Sequence, residues 1–154
     1  MRIRLLKKGE IDKVSKLFVE AYVKDEKSRR WQKKYAFKYV LMIYRECKDL
    51  CFVAVQGDEI IGVSLNVILP EFNKEVISSK VLLVHPSYRK QKVASKLLKK
   101  VLSKANNKYG LKEVETNIYT LTNFPITWYE RIGFRRKKYY EITKANIANV
   151  LKLI

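Results

Sequence analysis

The stretch most suggestive of chemistry is Val84-His85-Pro86-Ser87-Tyr88-Arg89-Lys90-Gln91-Lys92-Val93-Ala94-Ser95-Lys96-Leu97-Leu98. The apolar run Val81-Leu82-Leu83-Val84 reads as a buried strand that stops at His85-Pro86 and yields to a short basic loop. From Val93 onward the apolar residues fall at Val93, Leu97, Leu98, Val101 and Leu102, the spacing of an amphipathic helix. A strand, a tight turn and a helix start leave backbone N–H groups without partners, at the end of the helix whose dipole favours an anion. Arg89, Lys90 and Lys92 add positive charge at that point. The physical reading is a phosphate or pyrophosphate cradle. A second group lies downstream in Asn123-Phe124-Pro125-Ile126-Thr127-Trp128-Tyr129-Glu130-Arg131-Ile132-Gly133-Phe134. Its Tyr129 is either a packed member of a Trp-Tyr pair or a proton donor, since a phenol titrates near pH 10.

The elements that must position these residues follow from the side-chain periods. Arg2–Leu6 alternates as a strand, and Ile11, Val14, Leu17, Phe18 and Tyr22 share one helical face. A charged stretch from Lys24 to Arg30 precedes an aromatic-rich helix carrying Trp31, Tyr35, Phe37, Tyr39, Val40, Ile43 and Tyr44. Cys51–Gln56, a Gly57-Asp58 turn and Glu59–Ile68 form a hairpin. Pro70–Glu75 reads as a loop before a central strand at about 76–84. The cradle helix spans about 93–108 and ends at Tyr109-Gly110. Then come a strand at Lys112–Ile118, a short helix at Phe124–Ile132 stopped by Gly133, a strand at Tyr139–Thr143 and a final helix at about 144–154. This order predicts one α/β domain over residues 1–154, with a mixed sheet flanked by helices.

Composition narrows the function classes. An apolar content of 47% argues against disorder, and no apolar run is long enough to span a membrane. The start of the sequence resembles a strand rather than a leader, so a soluble, cytoplasmic protein is expected. Cys47 and Cys51 have no second pair and no histidine cluster beside them, which predicts free thiols and no metal. Thirty-three Lys and Arg against fifteen acids give a net charge of +18. Such a surface suits nucleic acid, a ribosome or another polyanion, or else reflects a lysine-rich proteome.

The run Arg89-Lys90-Gln91-Lys92-Val93-Ala94 resembles the Arg/Gln-x-x-Gly-x-Gly/Ala signature of the GNAT superfamily of acetyl-CoA-dependent N-acetyltransferases. Trp128-Tyr129-Glu130-Arg131-Ile132-Gly133-Phe134 is similar to that family's Tyr-Glu-x-x-Gly-Phe helix end. The resemblance implies a GNAT-like acyl-CoA N-acyltransferase fold, a mostly antiparallel sheet splayed to admit the pantetheine arm. It implies acetyl-CoA as co-substrate and an amine-bearing acceptor, protein or small molecule. Backbone N–H groups of Gln91, Lys92, Val93, Ala94 and Ser95, with Arg89, Lys90 and Lys92, would hold the pyrophosphate. Leu82, Leu83 and Val84 would line the pantetheine edge, with Val84 facing the thioester; Asn123 would assist at the helix start, and Tyr129 would be the general acid.

Two positions depart from the pattern. Lys92 stands where the family has its first glycine, so it either turns outward and adds a contact to phosphate or weakens cofactor binding. Counting back from Tyr129 puts the family's asparagine at Thr122, one residue before Asn123. No base is assigned among Glu71, Glu75, Glu115 and His85. Neither cysteine has a base beside it, which favours direct transfer in a ternary complex over a covalent acetyl-enzyme. The competing reading is a non-catalytic GNAT-like module that binds nucleic acid through its basic surface.

Overall fold

The computed structural model describes residues 1–23, 31–118, 123–137 and 147–151. These fall into two compact units, Met1–Asn117 and Ile118–Ile154. The first holds β1 (Arg2–Leu5), α1 (Ile11–Val23), α2 (Lys33–Cys47), β2 (Phe52–Gln56), β3 (Glu59–Glu71), β4 (Lys74–Val84), α3 (Val93–Tyr109) and β5 (Val114–Thr116). The second holds α4 (Asn123–Arg131) and α5 (Ile147–Leu151). The expected strand at Tyr139–Thr143 and the ends of the expected C-terminal helix lie outside the described residues, as does the charged stretch 24–30.

The strands form one sheet in the order β1-β2-β3-β4-β5, antiparallel except for the parallel pair β4–β5. This is the mixed, mostly antiparallel sheet flanked by helices that the sequence predicts. Alternation along the strands sends Val53, Val55, Val63 and Leu65 toward α1 and α2, where they pack with Val14, Phe18, Val40 and Ile43. Phe52, Ala54, Ile61 and Ile77 point the other way, against Val93, Leu97, Val101 and Ala105 of α3. Trp31, Tyr22 and Tyr39 cluster around Phe18 as part of the first core, whereas Tyr35 and Phe37 of the same aromatic-rich segment are exposed.

The expected loop at Pro70–Glu75 is strand instead. β3 runs on to Glu71 and β4 starts at Lys74, so only Phe72 and Asn73 make the turn. Pro70 misled the sequence reading because proline cannot donate to a ladder. Here β2 pairs with β3 no further than Ser64, so Pro70 has a strand on one side only and its missing N–H costs no bond. Only Val114–Thr116 of the expected strand at Lys112–Ile118 pairs with β4.

Gly110 ends α3 in the left-handed region, φ 67°. Its N–H donates to the Asn106 carbonyl at 2.9 Å, and the Leu111 N–H donates to that of Ala105 at 3.3 Å. That closure is the expected glycine stop.

Candidate functional site

The site begins as a defect in β4. Ile77, Ser78 and Ser79 pair with Val114, Glu115 and Thr116 of β5, and the Thr116 hydroxyl closes this stretch by donating to the Ser79 carbonyl at 2.9 Å. On the β3 side the register steps from Asn66↔Ser79 to Leu65↔Val81, which leaves Lys80 as a bulge. Beyond it, among the described residues, residues 81–84 pair with β3 alone.

The bulge also swaps the faces of the strand. Ile77 packs toward α3, but Val81 and Leu83 pack toward α1 and α2, and Leu82 and Val84 toward α3. The His85 N–H donates to the Ile61 carbonyl at 2.9 Å, which places Val81 and Leu83 in the hydrogen-bonding positions of the antiparallel ladder. The main-chain groups of Leu82 and Val84 therefore face away from β3, on the side that β5 does not reach. Among the three sequence-predicted residues of this edge, Leu82 and Val84 offer backbone to a ligand, while the backbone of Leu83 is engaged with Val63.

The turn from β4 to α3 is tied down at several points. The imidazole Nδ1 of His85 accepts from the Ser87 N–H at 3.2 Å and the ring packs edge-on to Tyr88. The Tyr88 hydroxyl donates to Glu59 at 3.0 Å, anchoring the turn to the start of β3. These contacts tie His85 into the turn at the end of β4.

Arg89 is bound from both sides. Its Nη2 donates to the Ala21 carbonyl at 3.1 Å and its Nε to the Val84 carbonyl at 3.5 Å. One guanidinium thus joins the C-terminal turn of α1, where a cation is favoured, to the open edge of β4.

Lys92 stands at the helix start. It is the residue that caps α3, it lies in the left-handed region at φ 60°, ψ 17°, and its side chain is exposed. Lysine has taken the conformation a glycine would adopt, at a strain of roughly 1 kcal/mol. Lys90 does the same at φ 63°. No side chain caps the helix. The first bond within α3 runs from the Lys96 N–H to the Lys92 carbonyl, so the N–H groups of Val93, Ala94 and Ser95 precede it. Exposed Lys90, Gln91 and Lys92 surround them.

Gly62 is a residue the sequence reading passed over. A Cβ built there would lie 3.0 Å from Val93 Cγ1, 3.1 Å from Leu97 Cδ1 and 3.1 Å from the Leu83 carbonyl oxygen. The helix start settles onto the sheet because β3 has no side chain at that point. A lone glycine inside an apolar strand pattern is the signal that marks such close approach.

Leu82, Val84 and Arg89–Ser95 come together in the first unit; Tyr129 and Asn123 belong to the second. There Tyr129 is buried on α4, edge-on to Trp128 and Phe134 at centroid distances of 4.8 and 5.0 Å. Gly133, at φ 101°, turns the chain so that the Phe134 N–H donates to the Tyr129 carbonyl at 3.1 Å. Asn123 is the first residue of α4. Of the carboxylates considered as a base, Glu115 accepts from the Ser78 hydroxyl at 2.9 Å. Cys47 and Cys51 are free thiols, and burial pushes the Cys51 thiol up to about 12. Among the described residues, no group of three or more His, Cys, Asp or Glu could hold a metal ion.

Residues 47–136 match the family model for the acetyltransferase (GNAT) domain, more than half of the chain. The chain belongs to the GNAT acetyltransferase family. Solved structures share this GNAT fold at low identity. Aminoglycoside N-acetyltransferase AAC(6')-Iy in complex with CoA is 17% identical, with a TM-score of 0.74 over 94% of this chain and 93% of that one. The NatC complex bound to Gag peptide and CoA matches at 20% identity and a TM-score of 0.71, over 90% of this chain and 89% of that one. A transcriptional regulator from Bacillus halodurans is 21% identical, with a TM-score of 0.72 over 95% of this chain and 99% of that one. No curated protein sequence matches the chain. Among the described residues, no helix is long and apolar enough to cross a membrane.

Proposed function

We propose that this GNAT domain, a single domain over residues 1–154, transfers an acetyl group from acetyl-CoA to a primary amine. The acceptor is a protein N-terminus, a lysine or a small amine, and transfer is direct within a ternary complex. The observation that carries the reading is the uncapped start of α3, with Lys92 in the glycine-like conformation, set beside the β4 edge that among the described residues has no second strand. Acetyl-CoA supplies the activated acyl group as a thioester.

The chain's own residues do the rest. Backbone N–H groups at the start of α3 bind the pyrophosphate, helped by Lys90 and Lys92. Val84 and Leu82 orient the pantetheine and polarise the thioester carbonyl through their main-chain groups. Tyr129 gives its phenolic proton to the departing thiolate as the amine nitrogen bonds the acyl carbon and releases its own proton to solvent water. The pattern of free thiols, with Cys51 held protonated, supports transfer without an acetyl-cysteine. It also suits a reducing, cytoplasmic setting.

The structural relatives named above include one solved with CoA and one solved with a peptide and CoA, which supports an amine-bearing acceptor of either size. Titration calorimetry with acetyl-CoA, and with ADP as the control for bare phosphate attraction, tests the donor half. Marked preference for acetyl-CoA is expected, and equal or absent binding of the two overturns it. Tyr129→Phe tests the acid: release of free CoA thiol should fall by about 10² while acetyl-CoA binding stays as in the wild type. Unchanged turnover would remove Tyr129 from the mechanism.

A further inference from the structure

The outer face of α3 is not explained by the cradle. Lys92, Lys96, Lys100, Lys104 and Lys108 recur every four residues along it, with Lys99 alongside. Each step of four residues turns about 40° round the axis, so the row is a ridge that winds along about 24 Å of helix, and Lys92, Lys96, Lys99 and Lys100 share its first face. Not one Asp or Glu occurs in α3. Surface helices ordinarily interleave acids with lysines, because like charges four residues apart repel. The row is therefore kept at a cost to the helix.

Two of its members are committed: Lys108 pairs with Asp49, and Lys104 lies over the Phe52 ring at 5.6 Å. Among the described residues no carboxylate pairs with Lys92, Lys96, Lys99 or Lys100. These four form the cradle end of the row.

The character of this face discriminates between anionic partners. A protein interface needs an apolar centre and is poor in lysine. The exposed large hydrophobics of the described residues lie elsewhere, at Tyr35, Phe37, Met42, Phe72 and others, and none is on α3. Single-stranded nucleic acid binds through aromatic stacking platforms, which α3 also lacks on its exposed face. What remains is a ladder of point charges with small polar residues between them, Ser95, Ser103 and Asn107. That surface fits a phosphate backbone read without reference to base sequence.

We propose that the α3 lysine row docks duplex nucleic acid by its phosphates, and that its Lys92–Lys96 end is shared with the acetyl-CoA cradle, so that duplex and acetyl-CoA compete. Docking stands on the row itself; only the competition rests on the donor reading above.

The full-length chain and a mixed-sequence DNA duplex of about 20 base pairs test it. Affinity should fall with salt at a log–log slope of about −4 for the four lysines, and saturating acetyl-CoA should weaken it several-fold. Lys99→Glu/Lys100→Glu, which leaves the cradle residues intact, should lower duplex affinity at least 10-fold and bring the slope toward about −2. Its acetyl-CoA binding should be unchanged, which also reports an intact fold. The charge-neutral Lys99→Gln/Lys100→Gln pair should give the same trend with a smaller loss.

Duplex binding that survives in both variants overturns the row as the site. Equal affinity for polyglutamate at the same salt overturns nucleic acid as the partner. Duplex binding indifferent to acetyl-CoA, in a chain that binds acetyl-CoA, overturns the shared end. A chain that binds duplex but not acetyl-CoA would instead count against the donor reading.

Discussion

The two halves of β4 show how one strand serves two purposes. In its first half, residues 77–79 lie between β3 and β5, with both edges bonded and all three side chains buried. Its second half, after Lys80, keeps β3 on one edge and gives up the other. The first half is scaffold. The second is a strand edge inside a domain, where the Val84 carbonyl accepts from Arg89 rather than from a strand. A single extra residue separates them, since the bulge at Lys80 both turns the side chains over and marks where β5 leaves. Among the described residues no strand covers this edge, and an uncovered edge ordinarily invites unwanted pairing.

The comparison breaks most visibly with proline. Leu83→Pro removes an N–H that the antiparallel ladder requires and should destabilise the chain by on the order of 3 kcal/mol, read by denaturant unfolding. Val84→Pro, one residue on, removes an N–H that faces away from β3. It should retain most of the fold and lose acetyl-CoA affinity. If both unfold equally, the assignment of inner and outer backbone groups is wrong.

Gly62→Ala sits opposite Val84 in the ladder and strikes the same half from above. The new methyl meets Val93 and Leu97 side chains and the Leu83 carbonyl. We expect a loss of about 1–3 kcal/mol and weaker acetyl-CoA binding as the start of α3 is lifted. In the scaffold half the expected sign reverses. Ser79 has a buried hydroxyl with no hydrogen-bond partner among the described residues, so Ser79→Ala should be neutral or stabilise by up to about 1 kcal/mol, with cofactor binding unaffected. Lys92→Gly is the smallest effect: relief of left-handed strain, offset by the greater freedom of glycine when unfolded, gives a gain of at most about 1 kcal/mol in thermal stability. Acetyl-CoA binding should persist. Its loss would show that the Lys92 side chain, rather than the backbone path, holds the donor.

Much of this was legible in the sequence because it is local. The 3.6-residue period fixes α1 and α3, Gly110 fixes the end of α3, and the strand–turn–helix order around His85-Pro86 fixes the start of α3. Pro70 shows where local rules misled, because whether a missing N–H matters depends on which strands lie alongside. The bond from Arg89 to Ala21 is of the same kind: it spans 68 residues of sequence, and nothing near Arg89 announces it. Gly62 left a faint trace, a glycine amid apolar residues, but its partners Val93 and Leu97 come from a later helix.

The sequence by itself determined that this chain has a basic helix start after an apolar strand, because periodicity and helix-end chemistry act over a few residues. Only the tertiary structure decided which backbone groups of that strand are left for a ligand. Register is a relation between strands, and the bulge at Lys80 that sets it here is visible only once β3 and β5 are laid against β4.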